Sequence, residues 1–313
     1  MIKILELFGG IGAPRKALIN LGVEHKSIDY VEWNPKAVRT YNSMFDNRYT
    51  PQSVIGYDLK PDILIHGSPC QDFSVAGKQY GGNIADGTRS SLMFETIKII
   101  RNLGIWKPRV VIWENVTNVL SKNMKSAFNH YLDDMRALGY TNSYDILNAM
   151  DFGIPQDRKR IFVISTLDTQ HFNFFKLEQK PMRAIGEFLE TDVDDKYTIN
   201  QPSMIKRIHS DCAETGYKRQ FTVITDYCQT ITTRQTRCPN SGIIKLDGDR
   251  YRVLTERECW RLMGFDDTDF DNAEREHPGM DGKMNATLYH QAGNSMVVPV
   301  LEAIFKQIIL GGA

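Results

Sequence analysis

Short apolar runs alternate with mixed segments through the first half of the chain and predict strands followed by helices. The first run, "IKILELF", ends at "GGIGA", and Pro14 suits the first turn of a helix that continues to Leu21. A second strand, "SIDYVE", precedes a helix that Asn34 can cap, with Pro35 at its first position. Further strands are predicted at 62–66, 109–114 and 160–165, with helical patterns at about 90–103 and 124–138 between them. This alternation predicts an α/β fold with a doubly wound, mostly parallel sheet.

The pattern weakens after Ser165, where the chain is more polar and carries short Thr-rich strands such as "FTVIT" and "QTITT". One further helix is predicted near 200–210. The apolar final segment "VVPVLEAIFKQIIL" is predicted to be an amphipathic helix that returns to the first domain. We therefore expect a large domain formed by 1–166 and 276–313, and a smaller domain with its hinge over 167–275.

The composition is that of an ordinary globular protein. The chain has 313 residues, of which 42% are apolar and 24% charged. We expect neither a secretory signal nor a membrane span, because no window approaches about 18 consecutive apolar residues. Five cysteines without a C-x-x-C pair predict neither a disulfide framework nor a zinc site, and they favour a reduced, cytoplasmic setting: Cys70, Cys212, Cys228, Cys238 and Cys259.

The distribution of charge is uneven although the net charge is zero. Neutrality argues against a protein that coats nucleic acid through charge alone. From Lys206 to Arg261, however, eleven Lys or Arg face seven Asp or Glu, whereas 181–200 carries five acids against two bases. This asymmetry predicts a phosphate-facing surface in the C-terminal half.

Two features near the N-terminus could form a cofactor site. Glycines 9, 10 and 12 lie between the first strand and its helix, where they let a backbone approach a ligand, or simply form a tight turn. Their spacing departs from G-x-G-x-x-G and disfavours a nicotinamide cofactor. Glu32 ends the second strand and could accept hydrogen bonds from a ribose, with Trp33 stacking on an adenine, or it could be a solvated carboxylate.

Three further strand ends carry reactive side chains. Cys70 follows Pro69 in "GSPCQDFSVAG" and is either a packing residue or an exposed nucleophile. Glu114, in "VVIWENV", would be partly desolvated and hold a proton at neutral pH, or cap the next helix. Arg158 and Arg160 share a face if extended and could grip a carbonyl or a phosphate, or form a solvated basic turn.

Taken in order, these motifs resemble the DNA cytosine-5 methyltransferase family, bacterial or phage type, over nearly the whole chain. The matching blocks are "ELFGGIG", "VEWNPKA", "GSPCQDFS", "WENV", "QDRKRIFV", "LTERECWRLMGF" and "QAGNSMVVPV". The resemblance implies the class I S-adenosylmethionine-dependent methyltransferase fold, with a small, mostly β or irregular target-recognition domain.

The resemblance implies that Cys70 is the catalytic nucleophile. A thiolate that adds to carbon 6 of a flipped cytosine turns carbon 5 into a nucleophile for the methyl group of S-adenosylmethionine. Glu114 would engage ring nitrogen 3 and the amino group, and Arg160 the ring carbonyl. Arg158 would support the surroundings of Cys70. The loop "QDFSVAG", with Gln71 and Ser74, would close over the DNA.

The resemblance also implies the cofactor residues, which are Phe8, Gly10, Ile11, Gly12, Glu32, Trp33, Pro69, Leu92, Asn294 and Met296. The family's usual adenine-binding Asp has no clear counterpart in "TPQSVIGYDLKPD". Either Asp58 or the backbone around Ser53 and Val54 takes its place.

In the smaller domain, Thr230 and Ile231 match the family's Thr-hydrophobic pair, and Arg234 and Arg237 are candidates for reading bases or phosphates. The expected partner is double-stranded DNA, within a restriction-modification system or phage DNA protection. We expect a metal-free monomer with no membrane contact and no physically bound companion endonuclease.

Three alternative functions fit the sequence less well. An RNA methyltransferase of the same family should carry a Cys-Phe-Thr element, which this sequence lacks. A DNA-binding regulator that has lost catalysis should be substituted at Cys70, Glu114 or Arg160, and none is. A nicotinamide oxidoreductase would leave "SPCQ" unexplained.

Overall fold

The computed structural model describes residues 1–55, 59–68, 92–209 and 221–311. Its strands are β1 (Ile2–Leu7), β2 (His25–Val31), β3 (Ile63–His66), β4 (Val110–Val116), β5 (Thr141–Asn148), β6 (Gln156–Asp157), β7 (Lys159–Thr166), β8 (Cys228–Gln229), β9 (Ile244–Lys245) and β10 (Tyr251–Arg252). The central sheet of this described part has the order β2-β1-β3-β4-β7-β5. Strands β1 to β4 pair in parallel, and β7 runs antiparallel to both β4 and β5.

Helices cover both faces of this sheet. The described helices are α1 (Ala13–Asn20), α2 (Pro35–Phe45), α3 (Leu92–Asn102), α4 (Lys125–Ala137), α5 (Pro202–His209), α6 (Glu256–Arg261), α7 (Asp267–Glu276), α8 (Ala286–Asn294) and α9 (Val298–Leu310). Successive strand residues point to opposite faces. Ile112 therefore lies in the core with α1 and α9, and Trp113 in the core with α3 and α4. This is the predicted doubly wound architecture.

The predicted strands and helices of the first half are confirmed, and one strand of the central sheet was missed. Asn34 caps α2 by accepting from the Lys36 N–H, with Pro35 at the helix start, as the sequence predicted. Strand β5 was not predicted because it lies at the sheet edge and is polar. Its residues Tyr144 and Ile146 are 49% and 42% exposed, so no continuous apolar run marks it.

The Thr-rich segments of the smaller region form much less strand than predicted. "FTVIT" contributes a single bridge from Val223 to Ile243, and "QTITT" contributes only its first residue, to β8. Side chains, rather than a neighbouring strand, bind the backbone of Ile231. A small separate core forms around Ile199, Ile243 and Val253. It agrees with a second domain, whose boundaries stay a prediction.

The C-terminal segment returns to the first domain, as predicted. Helix α9 packs against α1, and its Val298, Leu301 and Phe305 are fully buried. By length and composition alone, 286–310 could cross a membrane. Its apolar character is explained by burial in this core, and the helix is interrupted at Ser295.

Candidate active site

The glycine turn between β1 and α1 has the backbone geometry that only glycine adopts readily. Gly10 and Gly12 have φ of 56° and 79°. A Cβ at Gly10 would meet nothing within 4 Å, whereas one at Gly12 would lie 2.5 Å from Phe45 and 2.6 Å from Tyr41. Gly10 therefore leaves room for a ligand, and Gly12 lets α1 pack closely on α2.

Glu32 is fixed at the end of β2 by backbone donors. The Gly10 N–H donates to its Oε2 at 3.1 Å and the Asn34 N–H to its Oε1 at 2.9 Å. Burial raises the pKa of Glu32 more than these hydrogen bonds lower it. Each carboxylate oxygen can accept a second hydrogen bond, so Glu32 can still bind hydroxyl groups. The adjacent Trp33 is 71% exposed and presents a flat apolar surface beside it.

A cleft at the carboxyl ends of the strands brings the glycine turn together with the C-terminal segment. It has about 420 Å³ of empty volume, lined by residues 6–11, 13, 14, 65, 67, 114 and 294–296. Among the predicted cofactor residues, Phe8, Gly10, Ile11, Asn294 and Met296 line it. The backbone of Gly67 packs closely against the end of the Met296 side chain, since a Cβ there would lie 2.9 Å from Met296 Cε.

Glu6 lines the same cleft and was missed by the sequence reasoning. Its Oε1 accepts from the Tyr41 hydroxyl at 2.6 Å, while its buried Oε2 has no hydrogen-bond partner among the described residues. Burial raises the pKa of Glu6 to about 7, against the opposing effects of Tyr41 and Arg15. The signal was present in the sequence as a charged residue inside the apolar run "IKILEL".

Glu114 and Arg160 form an ion pair at the end of the cleft. They lie on neighbouring strands, since Val116 is paired with Arg160 across β4 and β7. Arg160 Nε is 3.3 Å from Glu114 Oε1, and the two side chains are only 17% and 13% exposed. Burial raises the pKa of Glu114, outweighing the nearby Arg160 and Arg158. Burial therefore shifts the pKa of Glu114 in the direction that the predicted proton requires, and the proton itself stays a prediction.

Arg158 donates hydrogen bonds to carbonyl groups of the protein itself. Its Nη1 donates to the Ile231 carbonyl at 2.9 Å, and its Nη2 to Gly293 at 3.1 Å and Ser295 at 2.8 Å. The sequence predicted that this guanidinium could bind a carbonyl, and its charge also suits the C-terminal end of α8. Its predicted support of Cys70 stays a prediction.

The predicted DNA-contacting residues have different surroundings. Thr230 is half-buried and donates to the Asp157 carbonyl at 2.8 Å. The Ile231 side chain is fully buried, so only a rearrangement would bring that side chain to DNA. Arg234 and Arg237 are exposed on the same segment. Their contact with DNA stays a prediction.

Several predicted residues lie outside the described part of the chain, namely Asp58, Pro69, Cys70, Gln71 and Ser74. Leu92 is half-buried at the start of α3. The Gln52 N–H donates to the Glu32 carbonyl at 2.9 Å, which places Ser53 and Val54 close to Glu32. The strand end before residue 69 is held by Ser68, whose Oγ accepts from Trp113 Nε1 at 3.0 Å.

Comparison with known proteins identifies the family of this chain. A family model for C-5 cytosine-specific DNA methylases matches residues 2–310. The chain belongs to this family. It is therefore a cytosine-5 DNA methyltransferase, an S-adenosylmethionine-dependent enzyme. The Type II methyltransferase M2.ScrFI of Lactococcus lactis subsp. cremoris is 41% identical over 371 aligned residues, covering 98% of this chain and 99% of that protein.

Other relatives of this methyltransferase are more distant. The Type II methyltransferase M.SsoII of Shigella sonnei is 31% identical, covering 98% of this chain and 80% of that protein. The S. pombe Dnmt2 methyltransferase has a TM-score of 0.77 at 17% identity, covering 99% of both chains. The Entamoeba histolytica methyltransferase EhMeth has a TM-score of 0.73 at 17% identity, covering 98% and 97%. At these identities the structures show a shared fold.

The cleft of this methyltransferase fits S-adenosylmethionine. Its lining joins the glycine turn to Asn294 and Met296, which are predicted cofactor residues. Glu6 lines the cleft, and Glu32 lies beside it, bound to the Gly10 N–H. These acidic residues suit a cationic ligand with ribose hydroxyls, and the open space at Gly10 admits a close backbone contact. Among the described residues, no group of three or more His, Cys, Asp or Glu could hold a metal ion. Independence from metals stays a prediction.

Proposed function

We propose that this enzyme methylates carbon 5 of cytosine within a short specific sequence of duplex DNA, through a covalent adduct to Cys70. The observation that carries the proposal is the Glu114–Arg160 pair, 3.3 Å apart and mostly buried, with Glu114 lining the cleft. A carboxyl and a guanidinium in this arrangement match two adjacent polar positions of a cytosine ring. The S-adenosylmethionine that fits the cleft supplies the methyl group.

Cys70, Glu114 and Arg160 would each act on a different part of the cytosine ring. The thiolate of Cys70 adds to carbon 6, which places negative charge on the ring. Glu114, whose pKa is raised by burial, donates a proton or hydrogen bond to ring nitrogen 3 and offsets that charge. Arg160 donates to the ring carbonyl oxygen, and its pairing with Glu114 fixes both side chains before the base enters. The target base must leave the helix stack to reach them.

The biological setting is also part of the proposal. Type II methyltransferases among the relatives support a role in a restriction-modification system, and phage DNA protection is the alternative. We expect the enzyme to act in the cytoplasm as a monomer, without a physically bound companion endonuclease. Arg234 and Arg237, both exposed, are the proposed contacts to bases or phosphates.

The proposal is tested by trapping the adduct. The protein is mixed with S-adenosylmethionine and a random duplex library containing 5-fluorocytosine, whose fluorine blocks the final elimination. We expect a protein–DNA adduct that survives denaturation and that Cys70→Ser abolishes, whereas Cys238→Ser, a half-buried cysteine of the smaller region, retains it. The absence of an adduct with every DNA, or an adduct with RNA alone, would overturn the proposal.

A further inference from the structure

Two buried polar side chains from one short segment hold the backbone of Ile231. The Ile231 N–H donates to Gln156 Oε1 at 3.0 Å, and the Ile231 carbonyl accepts from Arg158 Nη1 at 2.9 Å. Gln156 and Arg158 are 0% and 3% exposed. The side chains thus replace the partner strand that this residue would have in a regular sheet, because buried backbone groups require hydrogen-bond partners.

The same two side chains also bind the C-terminal segments. Gln156 Nε2 donates to the Leu262 carbonyl at 2.8 Å, and Arg158 donates to the carbonyls of Gly293 and Ser295. Four segments that are distant in sequence therefore meet at Gln156 and Arg158. We call this arrangement the 156/158 clasp.

The segment held by the clasp cannot shift toward α8. A Cβ at Gly293 would lie 2.5 Å from the carbonyl carbon of Thr232 and 2.6 Å from the Thr233 nitrogen. The backbone of α8 therefore contacts the backbone of residues 232 and 233 directly. Immediately before the clasp, β8 pairs in parallel with β6. The exposed Arg234 and Arg237 follow immediately after it.

The clasp is continuous with the catalytic pair. Arg160 lies two residues beyond Arg158, and alternate residues of an extended segment share a face. Gln156 and Arg158 therefore hold the recognition segment, residues 228–237, while Arg160 of the same segment contacts Glu114 at 3.3 Å. No loop separates the residues of the clasp from Arg160.

We propose that Gln156 is a positioning residue for sequence discrimination, which, through the 156/158 clasp, fixes the recognition segment relative to Glu114 and Arg160. This inference rests on the proposed function. When the recognition segment binds the preferred DNA sequence, the target cytosine then lies in the right position against Glu114 and Arg160. When it binds a sequence with a mismatch, the cytosine is displaced from that position. Loosening the clasp should reduce the advantage of the correct site, because small errors in position cost large factors in rate.

The test compares Gln156→Leu with Gln291→Leu. Gln291 is also buried, at 6% exposed, but its amide donates to Thr40 Oγ1 and the Lys36 carbonyl of α2 and makes no hydrogen bond to the clasp. Each protein methylates a random duplex library, and sequencing gives the ratio of methylation at the preferred site to that at single-mismatch sites. We expect Gln156→Leu to lower this ratio about tenfold, the size expected for one lost buried hydrogen bond, and Gln291→Leu to leave it within about twofold.

Two further measurements keep the inference falsifiable. Gln156→Asn retains the amide but is too short to reach both partners, and it should lower the ratio in the same direction if Gln156→Leu does not fold. In the free protein, peptides covering 228–233 should exchange amide hydrogens faster in either Gln156 variant than in Gln291→Leu.

Unchanged discrimination in both Gln156 variants, or an equal loss in the Gln291 control, would overturn the role of Gln156. Unchanged exchange at 228–233 would overturn the clasp itself. Hydrogen exchange is measured without DNA or S-adenosylmethionine, so it tests the clasp independently of activity. If the unaltered protein methylates no cytosine, the proposed function is overturned, but the exchange result still decides whether the clasp exists.

Discussion

The buried carboxyl of Glu6 should make the free energy of unfolding depend on pH, and Glu6→Gln should remove that dependence. Glu6 is 1% exposed, and burial raises its pKa from 4.5 to about 7. An acid with a raised pKa in the folded state stabilises the protein most when it is protonated. This contribution is complete below pH 4.5 and is lost as the pH rises to about 7. The difference in pKa corresponds to about 3 kcal/mol.

Glutamine has the shape of the protonated carboxyl, and its amide oxygen can still accept from the Tyr41 hydroxyl. Its amide nitrogen lacks an acceptor among the described residues, which costs about 1 kcal/mol. We therefore expect Glu6→Gln to be about 2 kcal/mol more stable than the unaltered protein at pH 8. At pH 5 the two should differ by less than about 1 kcal/mol. Urea unfolding of the ligand-free proteins at both pH values measures this difference.

The exposed Glu24 provides the control, since Glu24→Gln should change the free energy of unfolding equally little at pH 5 and pH 8. Two results would refute the reasoning. The first is a loss of stability in Glu6→Gln at both pH values, which would mean that the ionised carboxylate is well solvated or paired. The second is a pH dependence of unfolding that persists unchanged in this variant.

Three more predictions concern activity and packing. Glu114→Gln should lower kcat about 10²- to 10³-fold in single-turnover methylation while S-adenosylhomocysteine still binds in calorimetry; an unchanged kcat would exclude Glu114 as the proton donor. Gly293→Ala should destabilise the protein by about 1–3 kcal/mol in urea unfolding, whereas Gly186→Ala, with open space around its Cβ, should be neutral. Lys16→Met leaves the buried Asp269 without that cation and should cost about 3 kcal/mol in the same assay; a neutral result would contradict this pairing.

The sequence predicted the fold and the strand-end positions of several candidate site residues because both depend on local patterns. Buried parallel strands read as short apolar runs, and the residues that follow such runs meet at one edge of the sheet. Glu32 and Glu114 were found in this way, each at a strand end. The glycine turn was found because the positive φ values of Gly10 and Gly12 require the residue type that the sequence shows.

The remaining parts could not be predicted because they depend on contacts without a local pattern. Gln156 and Ile231 are 75 residues apart, and Arg158 and Ser295 are 137 residues apart. Nothing in the polar segment around residue 231 indicates that side chains will replace its partner strand. The edge strand β5 was missed for a different reason, since its polar and exposed residues form no apolar run like those of the buried strands.

The motif "QDRKR" shows which features of the site its sequence predicts and which it does not. An extended segment would place Arg158 and Arg160 on one face, and this much follows from their spacing. Spacing does not tell which partner each side chain meets. In the fold, Gln156 and Arg158 bind backbone groups of the recognition and C-terminal segments. Arg160 instead reaches Glu114. A substitution at Gln156 should therefore change which sites are methylated, whereas one at Arg160 should change the rate at every site.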